Sequence, residues 1–383
     1  MDQQSSPGSE NLQRRAFIKA AGLASTAALL GTACGQAERA PDAAPQVQTR
    51  KKYEWKMVTT WPKNFPGLGT GANRLAQSIE AMSDGQLVIK VYGGGELVPP
   101  LGVFDAVSQG TAEMGHSAAY YWKGKHEAAQ FFAAVPFGLN ALENNGWLHY
   151  GGGQELWDEL YAPFNLKAFP AGNTGVQMGG WFNKEINAVA DFSGLKMRMP
   201  GLGAEVLSRL DVAVSNIPGG EIFQALKTGV IDATEWVGPY NDLAFGFHQA
   251  ASYYYWPGWH EPGTTLEGLV NKTAFEALPS HLQAIVTTAC QQANEDMLSE
   301  FVARNNAALQ TLITQHGVQL KRFPDTVMKE LGVISEAVVA EIANKDPFSQ
   351  KVFASFDKFR RESASYTHIS EEAYTLARAL TFG

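Results

Sequence analysis

Arg198 lies in a sequence where an arginine could bind a ligand. Residues 195–199 alternate apolar and basic side chains, a pattern that predicts a short strand. The planar guanidinium can donate two parallel hydrogen bonds to a carboxylate, and this contact is strong where little water is present. The same side chain could instead lie on the outer face of the strand, in water. The residues alone give the two interpretations equal weight.

Motifs of common catalytic centres do not occur in this sequence, which has no HExxH, no GxSxG and no Walker motif. Its eight histidines are scattered without the spacing of metal ligands. Its two cysteines, Cys34 and Cys290, exclude a disulfide framework, a CxxC zinc site and a cysteine-ligated iron–sulfur cluster. Residues 67–72 match GxGxxA, but two prolines and five other residues separate them from the preceding predicted strand. A dinucleotide-binding loop follows its strand tightly, so this match is rejected.

The composition predicts an ordered protein of about two domains. Apolar residues make up 45% of the 383 residues and charged residues 18%, which excludes a disordered chain. The formal net charge of −8, with no run of lysines or arginines, argues against a nucleic-acid partner.

The first 34 residues predict an export signal. Arg14 and Arg15 open an Arg-Arg-x-Phe-Ile-Lys pattern typical of twin-arginine signals, and residues 20–33 carry no charge. That uncharged run is shorter than the roughly 20 residues needed to span a bilayer. An ordinary secretory signal with two arginines is the alternative. Both place the mature protein in the periplasm.

Cys34 ends a sequence similar to a bacterial lipobox, although Gly31 stands where an aliphatic residue is usual. The cysteine is therefore either lipidated, anchoring the protein, or removed with the signal. Residues 35–50, rich in alanine, proline and glutamine, predict a flexible linker. Cys290 lies in an apolar helical pattern and is expected to be a buried, inert thiol.

The remaining chain predicts an α/β protein. Strand and helix patterns alternate from Trp55 onwards, which favours parallel sheets covered by helices. Residues 103–113 and 222–232 share the pattern aliphatic-Phe-x-Ala-aliphatic-x-x-Gly-x-x-acid, which indicates two similar halves. Ligands of such proteins bind in the cleft between the halves.

Residues 191–201, 223–232 and 270–279 carry a resemblance to a known family. Over about residues 52–340 the chain resembles the solute-binding proteins of tripartite ATP-independent periplasmic (TRAP) transporters. It is most similar to the branch that binds 2-oxo and 2-hydroxy monocarboxylates together with a metal ion. The resemblance implies a receptor, not an enzyme, that delivers an organic acid such as pyruvate or lactate to a membrane permease. An exported enzyme acting on an organic acid is the alternative.

The resemblance also implies a two-lobed periplasmic binding protein with hinge strands and a long helical C-terminal region. Lobe I is expected over residues 51–175, completed by part of 265–320, and lobe II over 176–264. Residues 265–383 form the helical region, which is a possible contact between two copies in a homodimer.

The family's site residues are carried over to matching positions. The resemblance implies that Arg198 binds the ligand's carboxylate and that Gln177, on a hinge strand, contacts both ligand and metal. Glu235, the main-chain carbonyl of Trp236, and Glu261 complete an oxygen-only set, which suits Na⁺ or Ca²⁺ better than zinc. Trp236 and Tyr121 are expected to form part of the wall of the ligand site. Two further candidates, for covering the ligand's tail, are Trp61 and Phe65.

Overall fold

The computed structural model describes residues 50–382. The predicted export signal, Cys34 and all of the predicted linker except Arg50 lie outside the described residues. Within the described part, no helix has both the length and the hydropathy needed to cross a bilayer.

Two separate sheets are formed by short strands. In chain order the strands are β1 (Tyr53–Thr59), β2 (Leu87–Tyr92), β3 (Met114–Ser117), β4 (Leu166–Asn173), β5 (Gly180–Phe182), β6 (Lys196–Arg198), β7 (Ala213–Ser215), β8 (Ala233–Thr234), β9 (Tyr253–Trp256), β10 (Thr265–Asn271) and β11 (Gln319–Arg322).

Helices cover the sheets and make up most of the C-terminal region. They are α1 (Leu68–Met82), α2 (Val103–Ser108), α3 (Ala141–Tyr150), α4 (Gly153–Tyr161), α5 (Gly201–Ser208), α6 (Gly219–Lys227), α7 (Pro239–Phe245), α8 (Lys272–Glu276), α9 (Ser280–Thr314), α10 (Asp325–Ala343), α11 (Pro347–Thr367) and α12 (Ala373–Phe382).

The first sheet has the strand order β2-β1-β3-β10-β4 and the second has the order β11-β9-β5-β8-β6-β7. Each sheet mixes directions: β10 runs antiparallel to β3 and β4, and β5 runs antiparallel to β8 and β9. The predicted parallel sheets are therefore mixed sheets. The chain crosses from the first sheet to the second through residues 174–179 and returns through residues 257–264. The strand after each crossing, β5 or β10, enters its sheet from the end opposite to its neighbours and so runs antiparallel to them.

The repeated pattern of the sequence has a structural counterpart. The helices α2 and α6 are each followed by a glycine in the left-handed region, Gly110 with φ 76° and Gly229 with φ 75°. The chain then enters β3 or β8, an interior strand of its sheet. The two halves therefore repeat one helix–glycine–strand unit, in which only glycine takes up the turn without strain.

The helix α9 connects the two halves. It packs on β4 of the first sheet and on α7, which follows β8 of the second. Its Asn305 side chain accepts a hydrogen bond from the N–H of Tyr240 at 3.1 Å, and Glu300 accepts one from the Tyr240 hydroxyl at 3.0 Å. After α9, β11 joins the edge of the second sheet beside β9. The chain thus returns to the second half after completing the first.

Candidate functional site

An ion pair between Arg198 and Glu235 lies at the ends of two neighbouring strands. Arg198 is the last residue of β6 and pairs with Thr234, the last residue of the parallel strand β8. Glu235 follows directly, and Nη1 of Arg198 donates to its Oε1. Both side chains are only 1% exposed. The carboxyl ends of parallel strands are where α/β proteins bind ligands, and this pair lies there.

The guanidinium of Arg198 is held from several sides. Its Nε donates to the carbonyl of Ile217 at 3.2 Å, and its Nη2 donates to the hydroxyl of Tyr121 at 3.4 Å. It also lies 5.0 Å from the ring centroid of Trp236, a cation–π contact. Burial acts to lower the pKa of Arg198, but the Glu235 carboxylate acts to raise it, and the net shift is upward. Arg198 therefore stays charged, with one arm bound to Glu235 and the other facing Tyr121.

Gln177 and Glu261 join the two segments that cross between the sheets. The N–H of Gln177 donates to the main-chain carbonyl of Glu261 at 3.2 Å, and its Nε2 donates to Oε2 of Glu261 at 2.7 Å. The hydroxyl of Thr264 donates to the same carboxylate oxygen. Both crossing segments thus contribute a buried polar side chain to one cluster.

Burial raises the pKa of Glu261 well above its usual range, and the nearby charge of Glu235 raises it further. Hydrogen bonds from Thr264 and Gln177 and the charge of Arg198 act in the opposite direction but do not offset this. The cluster therefore holds two buried carboxylates but only one permanent positive charge, an arrangement that a cation would stabilise.

Four of the predicted residues are thus brought to one place, and Trp236 adjoins them in sequence and in space. Within residues 50–382, Oε1 of Gln177 and Oε2 of Glu235 are buried without a hydrogen-bond partner. These free oxygen atoms are of the type that Na⁺ and Ca²⁺ bind. The donor set therefore fits the cation that the resemblance implies.

His260 was not predicted to be part of the site. It is 1% exposed, and its Nε2 lies 3.5 Å from Oε2 of Glu235. His260, Glu235 and Glu261 each offer one possible metal-ligand atom, and these three atoms lie within 4.8 Å of one another. In the sequence, the position of His260 directly before Glu261 could have indicated a role in the site. It was not used, because the eight histidines as a group lack the spacing of metal ligands.

Aromatic side chains close the rest of the site. A small cavity has walls made by the following residues: Trp61, Leu68, Tyr120, Tyr121, Thr174, Gln177, Trp236, Val237 and Leu266. The predicted wall residues Tyr121 and Trp236 are among them, as is Trp61. Phe65 does not line the cavity; it stacks on Phe245 at 4.1 Å and contacts the edge of Trp236. Only about 10 Å³ of it is open to the centre of a water molecule, which is room for about one water, so an organic acid requires the walls to move apart.

A larger cavity, of about 400 Å³, lies between residues 135–138 and the helices α10 and α11. None of the residues of the buried cluster lines it. Its position in the C-terminal helical region separates it from the charged groups described above.

Known proteins are similar to this chain in sequence and in fold. Residues 57–346 match the family described as bacterial extracellular solute-binding protein, family 7. The monocarboxylate 2-oxoacid-binding periplasmic protein of Nostoc sp. is 46% identical over 320 residues, which are 84% of this chain and 87% of that protein.

Two solved structures of TRAP solute-binding proteins are also similar. One, from Bordetella bronchiseptica RB50, is a dimer with calcium and picolinate in one active site; it is 40% identical, has a TM-score of 0.84, and the match covers 86% of this chain and 99% of that one. The other, from Pseudoalteromonas atlantica T6c, has bound sodium and pyruvate; it is 43% identical, has a TM-score of 0.83, and the match covers 85% and 99%.

Proposed function

Because the chain belongs to family 7 of the bacterial extracellular solute-binding proteins, we propose that it is the receptor of a TRAP transporter for 2-oxo monocarboxylates. It binds a small organic acid such as pyruvate, together with Ca²⁺ or Na⁺, in the periplasm and delivers it to the membrane permease. Its family consists of binding proteins. This receptor accordingly releases its ligand chemically unchanged.

The observation that carries the proposal is the combination of Arg198 with the oxygen donors of the crossing segments beside a small cavity. Nη2 of Arg198 donates to the hydroxyl of Tyr121, which lines the cavity, and the second N–H of this arm could donate to a carboxylate bound there. A bound cation would be held by the side-chain oxygens of Gln177 and Glu235, the main-chain carbonyl of Trp236, and Glu261. It would supply positive charge next to the carboxylate and 2-oxo oxygens of the ligand.

The charge balance supports a cation. Glu235 and Glu261 carry two negative charges when ionised, Arg198 carries one positive charge, and a monocarboxylate adds a further negative charge. With both carboxylates ionised, binding the acid without a cation would bury an excess of two negative charges, which is costly in a site of low dielectric constant. A cation bound with the ligand removes most of this cost.

Closure of the two halves follows from the position of the donors. Gln177 and Glu261 lie on different crossing segments, whereas Trp61 comes from the first half and Trp236 from the second. The ring centroids of these two tryptophans are 6.2 Å apart. A ligand that contacts all of these residues stabilises the closed arrangement more than the open one, which is the condition for ligand-induced closure.

We also propose the organisation around the site. Residues 51–175 with part of 265–320 form lobe I, and residues 176–264 form lobe II, which β11 extends at its edge. The C-terminal helical segment is a contact with a second copy, because α12 and the π-helical residues 368–372 before it expose large apolar side chains: Ile369, Tyr374, Leu376 and Leu380. An N-terminal twin-arginine signal exports the protein, and lipidation of Cys34 would anchor it.

Calorimetric titration of the purified protein with pyruvate, with Ca²⁺ or Na⁺ and after chelation of divalent cations in sodium-free buffer, tests the function. We expect binding that weakens about tenfold or more without the cation. Pyruvate recovered unchanged, as measured by NMR, distinguishes the receptor from an exported enzyme that acts on an organic acid. Binding of no 2-oxo or 2-hydroxy acid under any condition would contradict the proposal.

A further inference from the structure

His260 differs from an ordinary buried histidine in its hydrogen bonding. Within the described chain, neither of its ring nitrogens has a hydrogen-bond partner, although both are buried. His116 is buried to the same degree, but its Nδ1 accepts a hydrogen bond from Trp61 at 2.7 Å and its Nε2 lies 3.1 Å from the carbonyl of Ala171. A structural role accounts for both nitrogens of His116 and for neither nitrogen of His260.

The surroundings of His260 are those of a metal ligand. Its Nε2 lies 3.5 Å from Oε2 of Glu235, which also lacks a partner among residues 50–382. Glu261 follows directly in the chain and offers its carboxylate within the same 4.8 Å group. One imidazole nitrogen and two carboxylates, all buried, therefore point to one small volume.

We propose that His260 is a ligand of the cation and that this site accepts a divalent transition-metal ion, such as Mn²⁺ or Zn²⁺, through a bond to nitrogen. The proposal rests on the proposed function, because it concerns the same site, but it changes the predicted oxygen-only set to a mixed one. Ca²⁺ and Na⁺ favour oxygen ligands, whereas imidazole is a preferred ligand of first-row transition metals.

The charge of the site also favours a divalent ion. A metal-bound imidazole carries no charge, so Glu235 and Glu261, when ionised, together with a bound monocarboxylate outweigh Arg198 by two negative charges. A divalent ion balances this excess fully and a monovalent ion balances half of it. The imidazole adds a neutral ligand, which increases the coordination number without adding charge.

Pulsed electron paramagnetic resonance with Mn²⁺ tests the proposal directly. The purified protein, loaded with Mn²⁺ and pyruvate, is expected to give the electron spin-echo modulation of a directly bound ¹⁴N nucleus. His260→Gln, which keeps a polar side chain of similar length, is expected to lose that modulation. His281→Gln is the matched control, because this histidine lies on α9 and interacts with Gln86 at 3.0 Å; its spectrum is expected to match that of the unmodified protein.

Affinity measurements give a second readout. We expect His260→Gln to weaken Mn²⁺ binding by at least tenfold while changing Ca²⁺ binding by less than about threefold. Absence of nitrogen modulation in the unmodified protein would overturn the proposal, and so would equal losses of Mn²⁺ and Ca²⁺ affinity. The spectrum of the unmodified protein is decisive even where the variant does not fold.

These experiments distinguish a failure of the His260 proposal from a failure of the proposed receptor function. If pyruvate binds with Ca²⁺ but the Mn²⁺ spectrum shows no nitrogen, only the role of His260 is wrong. If pyruvate binds with none of the cations, the receptor function itself is contradicted, whatever the spectrum of bound Mn²⁺.

Discussion

The indole N–H of Trp61 donates to Nδ1 of His116 at 2.7 Å, which ties the loop after β1 to β3 and sets the orientation of one cavity wall. Burial lowers the pKa of His116 to about 4, so its ring is neutral at physiological pH. Since Nδ1 accepts, Nε2 carries the proton and donates to the Ala171 carbonyl. This fixed tautomer holds Trp61 against the cavity.

Trp61→Ala is expected to change which 2-oxo acids bind. Removal of the indole enlarges the cavity, so pyruvate should bind about tenfold more weakly because it loses an apolar contact. Acids with branched or longer tails should gain affinity relative to pyruvate. Calorimetric titrations with a series of 2-oxo acids measure this ratio. An equal loss of affinity for all chain lengths would show that Trp61 does not determine which 2-oxo acids bind.

Arg198→Lys is expected to weaken pyruvate binding strongly while preserving the fold. A lysine keeps the charge facing Glu235 but loses the second donor arm, a loss of roughly 1.5–3 kcal/mol, or about 10–150-fold in Kd. Arg198→Ala is less informative, because it leaves the Glu235 carboxylate buried without its partner. Arg209→Lys, in an exposed ion pair with Glu341, is the control and should bind normally. Normal pyruvate binding by Arg198→Lys would contradict the assignment.

Glu261→Gln is expected to change stability and function in opposite directions. Burial and the charge of Glu235 disfavour its carboxylate, so replacing it by an amide should raise the melting temperature in the presence of a chelator. The same change removes a charged ligand and should weaken Ca²⁺ affinity by about tenfold or more. Thermal melts with and without Ca²⁺ report both effects. An unchanged response to Ca²⁺ would exclude Glu261 from the cation site.

Stability is expected to fall as the pH rises from about 4.5 to 7. Burial raises the pKa of Glu267 from its usual 4.5 to about 7, although Trp122 and Tyr161 donate hydrogen bonds to it. The folded protein thus binds this proton more tightly than the unfolded chain. Protonated Glu267 therefore adds about 3 kcal/mol to the free energy of unfolding at low pH, and this contribution is lost at high pH. Burial also raises the pKa of Asp242 to about 7, which adds to the same trend.

Urea unfolding of the protein and of Glu267→Gln across this pH range measures the effect. The variant should be less sensitive to pH than the unmodified protein and more stable than it near pH 8. Parallel curves for the two proteins would show that Glu267 does not titrate in this window.

Truncation of the chain after residue 372, which removes α12, is expected to weaken self-association. The helix exposes Tyr374, Leu376 and Leu380, and burying them against a second copy would contribute several kcal/mol. Light scattering coupled to size-exclusion chromatography gives the mass of each form. Tyr150→Ser, which removes an exposed apolar side chain at the end of α3, is the control and should leave the mass unchanged. A truncated protein with the same mass as the full chain would contradict the dimer contact.

The sequence predicted much of the local structure because it is set by nearby residues. The predicted alternation from Trp55 onwards begins with β1 and α1, and Gly67 stands at the N-cap of that helix. The strand that carries Arg198 also follows from the alternation of residues 195–199. The pairing of Arg198 with Glu235 does not follow from the local sequence. The two residues are 37 positions apart, and they meet only because β6 lies beside β8.

Long-range pairing also explains the other differences. Nothing in the local pattern of residues 265–271 reveals that this strand lies antiparallel between β3 and β4. Nor does it show that β11 extends the second sheet after the 35 residues of α9. His260 was missed for the same reason, since its neighbour in space, Glu235, lies 25 positions earlier, directly after β8.

The helix α9 has a mechanical consequence for the whole receptor. At 1.5 Å per residue it is roughly 50 Å long, and it is attached to β4 at one part of its length and to Tyr240 at another. Relative rotation of the two halves therefore requires α9 to bend or its contacts with Tyr240 to separate, and both resist the movement elastically. The resting angle between the halves then depends on the stiffness of a helix that does not line the ligand cavity.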